Sequence, residues 1–473
     1  MTAASASAVD ELLSLFAQEL GSDILITDPD IVTSYQRDQS RFTVNGTAVA
    51  VLAPRSVEQV SRCLSLSNEH AVTIVPRGAG SGLSGAANAD DHSVILSLHR
   101  MNHIVEIDTG NRTVVVEPGV VTADLRAAAA DKGLYYPPDP GSVEFCTIGG
   151  NIATNAGGMC CVKYGVTGDF VLGLQVVMAD GQILRTGRKT VKGVAGYDLT
   201  SLFVGSEGTL GVVTEATLKL VPKPKAPQTL LASFPTLVAA GDAVSAIIEH
   251  GLTPSMLEIL DRTTIRAVDE MTKMGLGSDV DALILIQSDD SDAADVLAKV
   301  ESLCSAAGAS DVVTSDNAEE GAMLLEARRM ALPALERLGD WLLDDVCVPR
   351  TRIADLISSI QDVAERFSLT IGVFGHAGDG NLHPTIIFDE SDDESRKAAL
   401  AAFDAITQRA LDLGGTITGE HGVGRLKKGW LATEIGSVGL HVQQSVKSAL
   451  DPQGILNPTA LFTGPAESVR ILS

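Results

Sequence analysis

Apolar and polar positions change over in short runs through the first half of the chain. "AVAVLAP", "VTIVPRG", "SVILSLH", "IVEID", "TVVVEPG", "GLQVVMADG" and "GVVTEATLKLV" are rich in β-branched residues and bounded by Gly, Pro or Asp. That texture predicts strands between residues 46 and 222. Two helical periods interrupt them, near 56–69 and 122–132, each between strands. A short amphipathic helix is expected over 9–20. The proline-rich stretch "VPKPKAP" at 221–227 marks a break. Beyond it, helical periods recur at 236–250, 291–306, 317–338, 351–366 and 394–413, alternating with strand-like "TLLASF", "ALILIQS" and "LTIGVFGH". One more helix is expected near 437–449, ahead of "DPQGILNP". The whole pattern predicts an α+β protein whose second part is a sheet covered by helices.

Length and charge narrow the picture. The 473 residues suffice for two or three domains. No apolar run approaches the roughly 18 residues of a membrane span. The N-terminal residues lack the basic and continuous apolar regions of a secretory signal. Sixty acidic residues against 35 basic ones leave a formal charge of −25. Such a field disfavours nucleic acid and anionic membrane surfaces, and an anionic substrate would need a local cation. Aromatic residues, at 4%, are too few for base stacking to be a theme. The six cysteines, Cys63, Cys146, Cys160, Cys161, Cys304 and Cys347, show no CxxC spacing. They read as reduced, mostly buried thiols, which suits the cytoplasm.

Three glycine-rich stretches carry the first candidate chemistry. "VTIVPRGAGSGLSGAA" holds Gly80-x-Gly82-x-x-Gly85 after a strand. A Rossmann turn would need a helix to start there, and too few residues precede the next strand. The glycines still allow consecutive backbone N–H groups to converge, as in a nest for a pyrophosphate, with Arg77 adding charge. An ornate surface turn explains the loop equally well. "TIGGNIATNAGGMCCVKYGVTGD" (147–169) is nearly neutral and without helical period, and could line a flat cofactor. "GSEGTLGVVTEATLKL" runs from Gly205 into a strand.

Histidines carry the second. In "IGVFGHAGDGNLHPTIIF", Asp379–Gly380 is a strong two-residue hairpin signal. If these are the central turn residues, Gly378 faces Asn381, Ala377 faces Leu382, and His376 faces His383. Their Cβ atoms would then lie roughly 4.5–5.5 Å apart on one face. Two imidazoles so placed can share a metal ion, or can simply be solvated. Glu420 and His421 sit in a glycine-flanked loop, "GEHGVGRLKKG", that can push them into a cleft or leave them in water. Arg328 and Arg329 in "LLEARRMALPAL" offer a fork for a carboxylate, or two solvated helix charges.

The glycine-rich stretches, in this order, resemble the FAD-binding domain of the vanillyl-alcohol oxidase and p-cresol methylhydroxylase superfamily. With "GHAGDGNLHP", "GEHGVGRLK" and "DPQGILNP", the likeness narrows to the FAD-linked D-2-hydroxyacid dehydrogenases. These comprise the glycolate oxidase D subunit, cytochrome-type D-lactate dehydrogenase and D-2-hydroxyglutarate dehydrogenase. It runs from about residue 25 to 462. The resemblance implies a two-subdomain FAD-binding domain over 1–222, a substrate domain with a metal site and a mainly antiparallel sheet over 223–425, and a segment over 426–473 that returns to the FAD domain. Pro76, Arg77, Gly78, Ala79, Gly80, Ser81, Gly82 and Leu83 would wrap the FAD pyrophosphate. Pro140, Gly141, Ser142, Thr147, Gly149, Gly150, Asn151, Ala153 and Thr154 would line the cofactor. Glu207, Gly208, Val212 and Val213 would lie near the adenine end, and Asn457 near the flavin. No histidine lies between Arg77 and Gly85, so non-covalent FAD is expected.

The resemblance further implies that His376, His383 and Glu420 bind a divalent ion, zinc before manganese or iron. His421 would act as the base that takes the substrate hydroxyl proton. Arg328 would meet the substrate carboxylate, and Thr385 stands where the family has an asparagine. Where the D-2-hydroxyglutarate enzymes have a lysine before "DVCVP", this chain has Leu343 and Asp344. Fewer groups for a second carboxylate favour D-lactate or glycolate as substrate. Electrons would pass to an electron-transfer flavoprotein, a quinone or a cytochrome. A cytoplasmic enzyme, or one peripheral to the inner face of the membrane, is expected, and a homodimer is left open. The rival readings are a same-fold flavin oxidase using oxygen, a metal-dependent hydrolase with structural glycine loops, and a non-catalytic FAD-binding subunit.

Overall fold

The computed structural model describes residues 6–277 and 280–462. The chain forms two compact units. The first takes the chain up to Gly157, then Val166–Lys223, then the stretch from Glu420; the second takes Gly158–Gly165 and Pro224–Gly419.

The first unit contains two larger sheets, besides the two-stranded pairing of Leu134–Tyr135 with Val221–Pro222. In one, Leu25–Ile26, Ala50–Leu52, Val94–Ser97 and Ile74–Arg77 lie side by side, the last three mutually parallel. Residues 78–93, which connect Ile74–Arg77 to its parallel neighbour, form no helix, so the Rossmann crossover is absent. The helix Val57–Glu69 starts at Ser56, whose hydroxyl accepts the Gln59 amide in place of the missing intrahelical partner. Its buried Val60, Cys63 and Leu64 join Leu12 and Phe16 of the helix Ala6–Leu20 in one apolar cluster with Ile74 and Leu96. The second sheet is antiparallel, in the order Ile104–Asp108, Thr113–Val116, Val212–Lys219, Val171–Val177, Ile183–Gly187. The late segment returns here: Asn457 donates its amide to the Ile74 carbonyl, and Leu456 bridges Ile74.

The second unit is built on an eight-stranded antiparallel sheet. Its order is Asp311–Ser315, Gln228–Phe234, Ala282–Ser288, Met256–Asp261, Thr370–His376, Asn381–Phe388 and Asp340–Leu343, with Val346–Cys347 also paired to Asn381–Phe388. Helices Leu237–Glu249, Arg262–Thr272, Ala293–Ala306, Ile353–Phe367 and Asp393–Asp412 pack against it or against one another. Every residue of Ala282–Ser288 is buried. That explains its unbroken apolar run, because a strand covered on both faces has no reason to alternate. The segment Gly158–Gly165 is held to this unit by Lys163, whose ammonium pairs with Asp289 and Asp290, and by the Tyr164 hydroxyl, which donates to Asp289.

Three departures from the predicted elements have local causes. The helix expected over 317–338 is two helices, Ala318–Arg329 and Ala331–Leu335, because Pro333 has no N–H to continue the ladder. The helix expected near 437–449 runs from Lys428 to Leu450 and is interrupted at Gly436, at φ 71° and ψ 168°. The strand Met256–Asp261 was not apparent from alternation, since all six of its residues are buried. The three buried cysteines include Cys63 and Cys304, whose thiols burial pushes up to about 12 and about 11. These two stay protonated and act as core residues.

Candidate active site

Four separate segments of the first unit meet around the glycine-rich loop. Gln39 donates its amide to the Gly82 carbonyl, and the Asp38 carboxylate accepts the Gly85 amide at 2.9 Å. Thr147 lies so close to Gly78 that any side chain there would collide with its hydroxyl. Gly208 packs against Pro76, the Glu207 amide donates to Ala153, and the Gly205 amide donates to Ile152. Asn457 donates from Nδ2 to the carbonyls of Ala86 and Glu207, at 2.8 and 2.9 Å. Of the residues expected at the cofactor, Pro76, Gly78, Thr147, Ala153, Glu207 and Gly208 thus share one cradle with Asn457. Not all of them point their polar groups outward. Asn151 gives its amide to Thr122, and Thr154 bonds the Gly150 carbonyl. Val212 and Val213 are ladder residues paired with Val177 and Val176. Pro140 to Ser142 form a turn, and a side chain at Gly141 would meet open space.

The cradle keeps unspent polarity. Arg77 Nη1, Thr147 Oγ1 and Asn457 Oδ1 are buried and have no hydrogen-bond partner among the described residues. Arg77 folds across Gly80, which has φ +74° and tolerates the approach because it has no Cβ. Buried groups of this kind are costly unless something satisfies them. A cofactor that presents phosphate and carbonyl oxygens together would do so for the guanidinium and the hydroxyl. The donor set therefore fits FAD.

Glu207 fastens a further segment to this cradle. Its fully buried carboxylate accepts the amides of Val423 and Gly424, at 2.7 and 2.8 Å. Arg425 extends the clasp, donating to the carbonyls of Val44, Asn88 and Ala89 and pairing with Asp90 at 2.9 Å. Glu420 and His421, directly ahead of this clasp, are partly exposed, with Glu420 Oε1 3.8 Å from His421 Nε2. Burial pushes the Glu207 carboxyl up to about 7, against the lowering effect of its two amide donors.

In the second unit the histidine hairpin differs in register from the two-residue turn. His376 pairs with Asn381 and Phe374 with His383, leaving Ala377 to Gly380 as a four-residue loop. The Asp379 amide donates to His376 and the Gly380 amide to Ala377. Tertiary contacts impose the longer turn: the Gly378 amide is drawn to the Leu257 carbonyl, and Gly380, at φ +82°, lies against the Val348 carbonyl. A slip of two places keeps every side chain on its face, whereas a slip of one would have separated the histidines. His376 and His383 are diagonal neighbours instead of opposed ones, with ring centroids 5.1 Å apart at 85°.

Two buried carboxylates flank the pair. Glu258 Oε1 lies 2.8 Å from His376 Nδ1, and Asp345 Oδ1 lies 3.5 Å from His383 Nδ1. Asn381, the residue paired with His376, donates to the same Asp345 oxygen at 2.8 Å. The other Asp345 oxygen accepts the Thr418 hydroxyl and the Gly419 amide, at 2.7 and 2.9 Å. The carboxylate hydrogen-bonded to His376 Nδ1 directs that ring's lone pair to Nε2, the arrangement found where histidines ligate metals. The donor set of this pair therefore suits a divalent ion. Arg328 pairs with Glu258 at 2.6 Å, and its Nε has no hydrogen-bond partner among the described residues. Arg329 is the next residue on the same helix. Thr385 is fully buried beside His383, whose carbonyl its hydroxyl meets at 3.4 Å. Sequence reasoning overlooked Glu258, Asp345 and Asn381. The available signal was a lone acid inside the apolar run "MLEILD" and a paired acid in "LLDDV".

Comparison with known proteins fits this geometry. Residues 223–461 match the family of FAD linked oxidases, C-terminal domain, and residues 48–187 match an FAD binding domain. The chain is 46% identical over 420 residues to the glycolate oxidase subunit GlcD of Bacillus subtilis, covering 88% of this chain and 89% of that protein. It is 34% identical over 460 residues to a D-lactate dehydrogenase of Anaerostipes hadrus, covering 95% and 96%. In fold it is similar to p-cresol methylhydroxylase with substrate bound, at TM-score 0.77 and 18% identity over 96% of this chain and 97% of that one.

The raised Glu207 carboxyl makes a pH prediction. Between the ordinary value of 4.5 and about 7 the folded protein holds a proton that the unfolded chain has released. Stability then falls as pH rises through that window, by about 3 kcal/mol for this group. Glu207→Gln should flatten that part of the melting-temperature profile. An unchanged slope in the variant would show that Glu207 does not cause it.

Proposed function

The chain belongs to the FAD-linked oxidases, and from that premise we propose that it oxidises a small D-2-hydroxyacid, D-lactate or glycolate favoured, to the 2-oxoacid. It is an FAD-linked oxidoreductase of the glycolate oxidase D subunit and D-lactate dehydrogenase type. The observation that carries the finer reading is the buried pair His376 and His383, with ring centroids 5.1 Å apart and His376 Nδ1 hydrogen-bonded to Glu258. The relatives' names supply the substrate class, since one is a glycolate oxidase subunit and another a D-lactate dehydrogenase.

His376 and His383 are the proposed ligands of a divalent ion, zinc before manganese or iron, with Glu420 as the third. Glu420 follows Gly419, whose amide is fixed by Asp345, the same residue that backs His383. When bound, FAD supplies the hydride acceptor for the substrate C2 hydrogen, and the divalent ion supplies a Lewis acid for the hydroxyl oxygen. His421 receives the C2 hydroxyl proton on a ring nitrogen. Arg328 offers its guanidinium to the C1 carboxylate, which the strongly acidic chain would otherwise repel. Gly78 to Gly82, Thr147 and Asn457 hold the cofactor by backbone amides and small side chains, without a covalent link. A flavoprotein, quinone or cytochrome takes the electrons onward. Among the described residues no helix is long and apolar enough to cross a membrane.

Two outcomes are expected. Chelation should abolish D-lactate or glycolate oxidation while the 450 nm-region flavin absorption stays, and re-addition of zinc should restore turnover. Full activity in protein shown to be metal-free would remove the metal from the mechanism. His421→Ala should keep its metal and its FAD yet lose substrate-driven flavin reduction by roughly 10²–10⁴-fold, the usual contribution of a positioned base. Reduction at the wild-type rate would take His421 out of that role.

A further inference from the structure

Glu258 is an acid in the wrong surroundings. It stands inside Met256–Asp261, a strand buried along its whole length, and its own side chain is completely buried. An ionised carboxylate survives there only if donors satisfy its oxygens. His376 bonds one oxygen, and the Arg328 guanidinium lies against the other as an ion pair. Oε1 faces His376 Nδ1 at 2.8 Å, and Oε2 pairs with Arg328 Nη2 at 2.6 Å. The register explains the first contact: Ile259 pairs with Gly375, so Glu258 lies across from His376 on the neighbouring strand. The second comes from the last turn of helix Ala318–Arg329. Phe374 braces Arg328 from the side, its ring centroid 4.8 Å from the guanidinium carbon.

Resting on the metal and substrate reading above, we infer that Glu258 is a positioning residue that serves both the ion and the substrate. With the guanidinium against one oxygen, the other is left to accept from His376. His376 must then carry its proton on Nδ1, and the lone pair that binds metal is on Nε2. The other carboxylate oxygen holds Arg328 in one orientation. Nε is left without a partner among the described residues, so part of the fork remains for an incoming carboxylate. A single side chain thus sets the tautomer of a metal ligand and the pose of the group that grips the substrate. Disturbing it should affect metal affinity and substrate affinity together, although it would touch neither metal nor substrate.

The test uses the FAD-loaded protein and three readouts: zinc affinity by competition with a chromophoric chelator, 15N shifts of labelled histidine, and KM for D-lactate. Removing Glu258 alone strands a buried guanidinium, so Glu258→Met is combined with Arg328→Met, which removes both charges at similar volume. With FAD retained, this double variant should bind zinc about 10- to 100-fold more weakly and lose the Nδ1–H signature of His376. Arg328→Lys keeps a cation beside Glu258 but no fork. It should hold zinc as the wild type does, keep the Nδ1–H signature, and raise KM by roughly tenfold with a smaller change in kcat. Wild-type zinc affinity in the double variant, or equal losses of zinc in both variants, would overturn the inference. His376→Ala separates this from failure of the underlying reading. If His376→Ala binds zinc as tightly as the wild type, the metal assignment itself falls, and the role of Glu258 with it.

Discussion

A carboxyl group taken out of water has to be given polar partners, and in this chain the partners come from segments distant in sequence. Asp38 takes the Gly85 amide and so holds the end of the glycine-rich loop. Glu207 takes the amides of Val423 and Gly424, 216 and 217 residues away along the chain. Asp345 takes Asn381, Thr418 and Gly419. Glu258 takes His376 and Arg328. Of these partners, Gly85, Val423, Gly424, Thr418 and Gly419 lie outside helices and strands, and glycine-rich backbone is entropically expensive to order. The obligation to satisfy each buried acid gives every loop one preferred position. Removing an acid would free a loop; removing its donors would leave a charge without a partner, which is the more damaging change.

The same arrangement would let an acidic protein accept the proposed anionic substrate. The formal charge of −25 lies largely on exposed residues. The cations that matter are buried and held: Arg77 in the cradle, Arg328 on Glu258. Burial and pairing exempt them from most solvent screening, so each acts locally with more strength than a surface lysine would. Arg77 keeps its charge although burial depresses its pKa, helped by Asp38 nearby.

Much of this architecture is legible in the sequence, and what is not legible has a common cause. Glycine-rich stretches announce themselves, because close backbone approach at Gly78 and left-handed φ at Gly80 need that residue. Strands with one exposed face, such as Val212–Lys219, alternate visibly. The hairpin of "GHAGDGNLHP" was legible as a hairpin, but its register was not. Asp379–Gly380 favours a two-residue turn locally, whereas Leu257 and Val348, distant in sequence, hold Gly378 and Gly380 in a longer one. Met256–Asp261 hides for the opposite reason, being buried on both faces and so without alternation. Its one acid looks like an interruption until His376, 118 residues later, is folded onto it. The candidate ligands could be named from motifs; the acids beside them could not, because only tertiary contacts bring those acids to them.

The central claim is that this flavin is reduced by a D-2-hydroxyacid. Anaerobic mixing of the FAD- and zinc-loaded protein with a panel of D- and L-2-hydroxyacids, followed near 450 nm, tests it most directly. D-lactate or glycolate should bleach the flavin rapidly, with L-lactate and D-2-hydroxyglutarate far slower. A flavin that no hydroxyacid bleaches, or that L-lactate bleaches in preference to D-lactate, would contradict the account.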